Sequence, residues 1–305
     1  MWFLNGRVSW FCKAVETVAT LLVLQSLMQY CEFHPSPPLN RFVECIWSLT
    51  SSTPSTESQV ERILPDGCVE LILNFGSPFS QHTGSHRKLQ PRNFVVGQMT
   101  GPVLISPAGD VDLLGIRFHP GGAYPFLRVP MNVITDQIIE LSSLSNTFES
   151  QLLSACDNVT APAERVAAIT TSLVERLPSN GDTNLMALAT SIVSSGGVVS
   201  VDRLANDAGI SCRQLERRFL NGVGLGPKVL SRILRFQQVF RAVERHDNSW
   251  ADVAVDCGYY DQAHLIHDFN QFAGQSPGVL FAEFSPLTES FTRKARTSHF
   301  SNTLA

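Results

Sequence analysis

Apolar residues in the last third of the chain recur at helical spacing, in an order that appears twice. In VDRLANDAG, Leu204 and Ala205 mark the inner side of a short helix, and Ala208-Gly209 supplies a tight turn. In ISCRQLERRFL, Ser211 suits an N-cap, while Leu215 and Phe219, one turn apart, mark the buried stripe of a second helix. A long helix then starts at Pro227, a residue favoured in a first turn. It carries Val229, Ile233, Leu234, Phe236, Val239, Phe240 and Val243, too apolar a set for a free linker. The short-turn-second order returns in WADVAVDCGYYDQAHLIHDFNQFAGQSP. Ala251, Val253, Ala254 and Val255 brace, Cys257-Gly258 turns, Asp261 caps, and Leu265, Phe269 and Phe272 form the inner stripe.

The front half follows a different rhythm. FVECIWSL, CVELILNF, NFVVGQM, PVLISP and VDLLGIRF are short and rich in β-branched and aromatic residues. SSTPSTES, LPDG, GSPFSQHTGSHRK, MTGP and PAGD separate them as turn clusters, which predicts a small sandwich or barrel. HPGGAYPFLRVP reads as a loop with a helical turn, and IIEL after Asp136 as the start of helical packing. Three amphipathic helices are predicted next, near Thr147–Cys156, Pro162–Arg176 and Asn184–Ser194, with Gly196-Gly197 as a joint. The predicted fold class is α+β, a β-barrel or sandwich with helices followed by an all-α domain of two helix-turn-helix units. The expected boundaries are 29–145 for the β-domain, 146–197 for a helical connector, 198–286 for the all-α domain and 287–305 for a disordered tail.

Residues 1–28 form an apolar extension with three readings: a signal or anchor, an amphipathic cap helix, or a segment upstream of a true start at Met28. Arg7, Lys13 and Glu16 interrupt its apolar run, which is shorter than the roughly 20 residues of a membrane span. The seven cysteines are scattered without a CxxC, as expected of reduced thiols in the cytoplasm.

Net charge changes the picture only when taken locally. The whole chain is at −4. Residues 200–245 hold nine Arg and Lys against four Asp and Glu, whereas residues 246–285 hold no Arg or Lys and six acidic residues. The basic footprint therefore belongs to the first unit and the joining helix. On the outward face of the first unit's second helix lie Arg213, Gln214, Arg217 and Asn221, flanked by Glu216 and Arg218. Arginine pairs bidentately with guanine, glutamine and asparagine pair with adenine, and an arginine that misses a base still holds a phosphate. The second unit offers Gln262, His264, His267 and Asn270, with no arginine. A joining helix of about 18 residues spans roughly 27 Å, near the ~34 Å of one DNA turn.

LANDAGISCRQLERRF, GVGLGPKVLSRILRFQQV and above all WADVAVDCGYYDQAHLIHDFNQFAGQSP resemble the AraC/XylS family of bacterial transcription regulators. The resemblance implies two reading helices in successive major grooves of double-stranded DNA, the first usually carrying more of the specific contact. Arg213, Gln214 and Arg217 match the groove-facing positions of the first unit, and Gln262, His264 and His267 those of the second. His267 stands where arginine is frequent, and Asn270 where a basic residue is frequent, which weakens the second contact. LPDGCVELILNFG, GIRFHPGGAYPFLRVP and ITDQIIEL resemble a cupin-like β-domain that often precedes this unit. It implies a sensor of a small-molecule effector or a homodimerisation module. A cytoplasmic regulator with no cofactor and no catalytic residues, working at operators beside RNA polymerase, is the expectation.

The alternative is a cupin-like binding protein or enzyme with an attached helical domain. His34, His82, His86 and His119 lack the spacing of a metal set, so no metal is expected. Asp66 and Glu70, near a strand start, read as structural or solvent-facing carboxylates.

Overall fold

A computed structural model describes residues 28–51, 60–177, 183–245 and 249–283. The predicted N-terminal extension, the 287–305 tail and most of the SSTPSTES turn lie outside the described residues.

The strands are β1 (Met28–Phe33), β2 (Val43–Ser51), β3 (Glu61–Ile63), β4 (Val69–Asn74), β5 (Phe79–Thr83), β6 (His86–Leu89), β7 (Asn93–Val96), β8 (Val103–Pro107), β9 (Asp112–Phe118) and β10 (Ile138–Glu140). They form a six-stranded sheet, β1-β2-β9-β4-β7-β10, and a four-stranded sheet, β3-β8-β5-β6. Strand alternation assigns the faces. Leu114, Ile116 and Phe118 of β9, with Leu71 and Leu73 of β4, pack under helices. Leu113 of β9, Ile72 of β4 and Trp47 and Leu49 of β2 pack between the sheets.

Two local expectations are corrected. Ile138–Glu140 is an edge strand, not a helix start: Ile138 pairs with Val96 and Glu140 with Phe94. Two adjacent β-branched residues meet the open edge of β7 there, and the helix begins at Leu141. Part of GSPFSQHTGSHRK is a hairpin, with Thr83 paired to His86 and Gly84 at φ +59° between them. Every residue of β6 is exposed, so no apolar alternation marked it.

The helices are α1 (Tyr124–Leu127), α2 (Leu141–Ala155), α3 (Pro162–Glu175), α4 (Thr183–Ser194), α5 (Val201–Asp207), α6 (Cys212–Gly222), α7 (Pro227–Arg245), α8 (Trp250–Asp256), α9 (Gln262–Phe272) and α10 (Pro277–Ala282). Phe126 of α1, Phe148 and Leu152 of α2, and Ile169 and Leu173 of α3 share the core of the larger sheet. Arg165 of α3 ties this layer to β9 through both Asp112 oxygens, at 2.8 and 2.9 Å. Leu185, Leu188 and Ile192 of α4 instead enter the core of the C-terminal helices, with Leu215, Phe219, Phe236, Phe240 and Phe269.

Among the described residues, hydrogen bonds join the β-domain to the helical domain at three points. Arg62 of β3 donates to the Ala273 carbonyl at 2.7 Å, just after α9, and to Gln275 at 3.3 Å. Gln237 of α7 donates to the Pro65 carbonyl. Thr135 donates to the Gly224 carbonyl at 2.8 Å, just after α6. Gly67, whose φ of +87° favours glycine, faces Leu230 of α7 across the same junction.

Candidate nucleic-acid interface

The first helix-turn-helix is α5 and α6, joined by Gly209 at φ +64°. Ser211 caps α6 as predicted, and a reciprocal box completes it: Ser211 Oγ accepts from the Gln214 N–H, and Gln214 Oε1 accepts from the Ser211 N–H at 3.0 Å. Leu215 and Phe219 are fully buried. Arg213, Arg217 and Asn221, one turn apart from each other, form an exposed stripe opposite them, with Arg218 exposed beside it. Gln214 is exposed, and its amide oxygen is engaged in this cap.

Two arginines of the joining helix are engaged within the domain. Arg232 donates to Asp268 at 2.6 Å and to Gln271 at 2.7 Å. Arg235 donates to the Gly197 carbonyl at 2.8 Å and lies over the Tyr259 ring. Both are engaged inside the domain, and Asp268 offsets the charge of Arg232. Lys228 at the start of α7 is exposed.

The second unit is α8 and α9, joined through Gly258 at φ +74°. Asp261 caps α9, its Oδ1 accepting from the His264 N–H at 2.8 Å. Gln262, His267 and Asn270 are exposed, in keeping with their predicted outward positions. His264 is half-buried, its ring edge-on to Tyr259 with centroids 5.2 Å apart. Sequence reasoning passed over Tyr260, which is 90% exposed one residue before the cap. Its neighbour Tyr259 is buried in the helical core, so the YY pair alone did not tell which ring stays outside.

A second site lies between the sheets. About 100 Å³ of internal space is walled by Leu49, Ile72, Phe79, Phe94, Ile105 and Leu113. Asp66, Glu70 and Arg117 also line it, and Gln237 of α7 reaches it from the helical domain. Arg117 is buried, and its Nε donates to Glu70 Oε1 at 2.8 Å, with Asp66 at 3.7 Å. Trp47 Nε1 donates to the same Glu70 oxygen at 3.2 Å. Gly115 makes room for that indole, since a Cβ there would collide with it. Burial alone would lower the Arg117 pKa, but Glu70 and Asp66 outweigh it and push it well above the ordinary arginine value. The two carboxylates are thus structural, though they also edge a cavity. Among the described residues no three potential ligands gather to hold a metal ion. His82 instead pairs with Ser106 at 2.9 Å.

Residues 204–283 match a helix-turn-helix domain family, and residues 31–140 match a domain of unknown function, DUF6597. No curated protein matches the chain. Among solved structures it is similar to ToxT from Vibrio cholerae, at 9% identity over 84% of this chain and 98% of that one, with a TM-score of 0.42. It is also similar to the AraC-like transcriptional activator CuxR, at 12% identity over 76% and 91% of the two chains, with a TM-score of 0.28. The paired helix-turn-helix units and the domain match give the chain a C-terminal helix-turn-helix DNA-binding domain. The chain carries an AraC-type domain at its C-terminus and the DUF6597 domain toward its N-terminus. Among the described residues no helix is long and apolar enough to cross a membrane.

Proposed function

We propose that α6 and α9 read successive major grooves of one operator, with α6 making most of the specific contact. The observation that carries this reading is the exposed stripe of Arg213, Arg217 and Asn221 on a helix capped at its start and fully buried on its other face. The second face supplies Gln262, His267 and Asn270, with no arginine, and sets register more than affinity. At 19 residues, α7 is about 28 Å long, a rod of the length needed to hold two heads about one DNA turn apart.

The β-domain acts as the sensor of a small molecule held in the cavity between its sheets, and the regulator works in the cytoplasm without a catalytic step. Pairing with a second copy and contact with RNA polymerase belong to the same reading. The test is a gel shift of the full chain against DNA from its own genomic neighbourhood, at moderate salt, with and without candidate effectors. A discrete complex that survives competitor DNA is expected. Absence of any specific complex would remove the operator-reading proposal and leave a small-molecule-binding protein with a helical appendage.

A further inference from the structure

We propose that the cavity between the two sheets takes a small, uncharged, largely apolar molecule with a single hydrogen-bond acceptor, and that it discriminates against carboxylates. This rests on the sensing role proposed above and names the chemistry of that site.

Size sets the first limit. A water needs ~10–15 Å³ of such space, so about 100 Å³ accommodates a compact ligand, nearer one ring than a long chain. The walls set the second, because Leu49, Ile72, Phe94 and Leu113 reward apolar surface and offer it no polar partner.

Arg117 sets the third. Its Nε is engaged with Glu70, while its Nη1 is buried with no partner and closed to solvent where it stands, so an acceptor in the cavity meets it once the guanidinium turns. A buried, charged donor left unmatched is costly, and an acceptor brought by a ligand relieves that cost. The sign of the ligand follows from the neighbours. Asp66 and Glu70 place two negative charges beside the one positive charge of Arg117 along the cavity wall. A carboxylate entering there would meet that surplus after losing its own hydration. An ammonium group would offset the surplus, but it has no lone pair for Nη1. A carbonyl or ether oxygen satisfies the arginine and adds no charge.

The position also connects to the DNA-reading half. Gln237 of α7 lines the cavity and donates to the Pro65 carbonyl, next to Asp66. A ligand against Asp66 and Arg117 therefore abuts the chain segment on which the joining helix rests.

The test titrates the full-length protein with three probes of matched size, followed by ligand-observed NMR. Acetophenone is apolar with one acceptor, cumene has the same shape without it, and benzoate carries the charge. Acetophenone is expected to bind about tenfold more tightly than either of the others, the worth of one hydrogen bond to a charged donor. Ile105→Phe, which fills the space, should abolish binding, and Arg117→Met should remove the preference for acetophenone over cumene. The ranking on the unaltered protein decides the matter even if a variant fails to fold. Benzoate binding as tightly as acetophenone, cumene matching it, or no probe binding at all would each overturn the proposal. DNA affinity measured with and without acetophenone separates the two readings. If the probe ranking holds and DNA affinity does not move, the sensing role fails and the ligand class stands. If DNA affinity responds but the ranking fails, the ligand class falls alone.

Discussion

Arg232 of α7 and Asp268 of α9 form an ion pair whose carboxylate is fully enclosed. Nη2 of the arginine donates at 2.6 Å and Nε at 3.1 Å to the same oxygen. The pair fastens the second reading helix to the joining helix. Removing the arginine leaves a buried carboxylate without its counter-ion, a loss of about 3 kcal/mol or more. Arg232→Ala should therefore lower the midpoint of urea unfolding markedly, while Arg213→Ala, on the exposed stripe, changes stability by less than ~0.5 kcal/mol. Equal midpoints for the two variants would show that the pair does not hold α9 in place.

Arg217 and Gln262 stand exposed on different reading helices. Arg217→Ala should weaken specific DNA binding by about 1–3 kcal/mol, and Gln262→Ala by less. Fluorescence anisotropy with a labelled operator measures both. A larger loss for Gln262→Ala would reverse the order of the two units.

The second unit's two histidines differ in setting. His267 is exposed, whereas His264 is half-buried against Tyr259. His267→Ala should therefore weaken operator binding more than His264→Ala, as the same anisotropy titration would measure. Equal losses would show that exposure does not decide which histidine meets the DNA.

Gly224 has φ +96°, and a Cβ there would stand 3.0 Å from Thr135 Oγ1 and 3.1 Å from the Met131 carbonyl. Gly224→Ala combines a strained backbone with a crowded contact, at a cost of about 1–3 kcal/mol. Thermal unfolding should shift down by several degrees. Gly84→Ala, whose Cβ would meet nothing within 4 Å, carries only the backbone strain of φ +59° and should shift less.

The DNA-reading half was legible because its signals are local. Ser211 and Asp261 announce their helices by capping chemistry, and Leu215, Phe219, Leu265 and Phe269 announce the buried faces by spacing alone. What sequence could not reveal is which polar groups are already engaged. Gln214 serves its own cap, and Arg232 and Arg235 are held by Asp268 and Gly197, partners 36 and 38 residues away. Arg117, within an apolar strand run, gave no hint that alternation turns it toward Glu70 and a cavity. Strand β6 was hidden for the opposite reason, since a fully exposed strand has no inner face to reveal it.

The three anchor points between the domains bear on the nucleic acid itself. Thr135 holds the chain just past α6, Arg62 holds it just past α9, and Gln237 holds the rod between them. The reading heads are thus mounted as on a jig clamped at both ends and along its bar. For as long as these anchors hold, the duplex is the partner that must adapt to the spacing of the heads. Operators whose central steps bend or untwist easily should then be preferred at base pairs that no side chain touches.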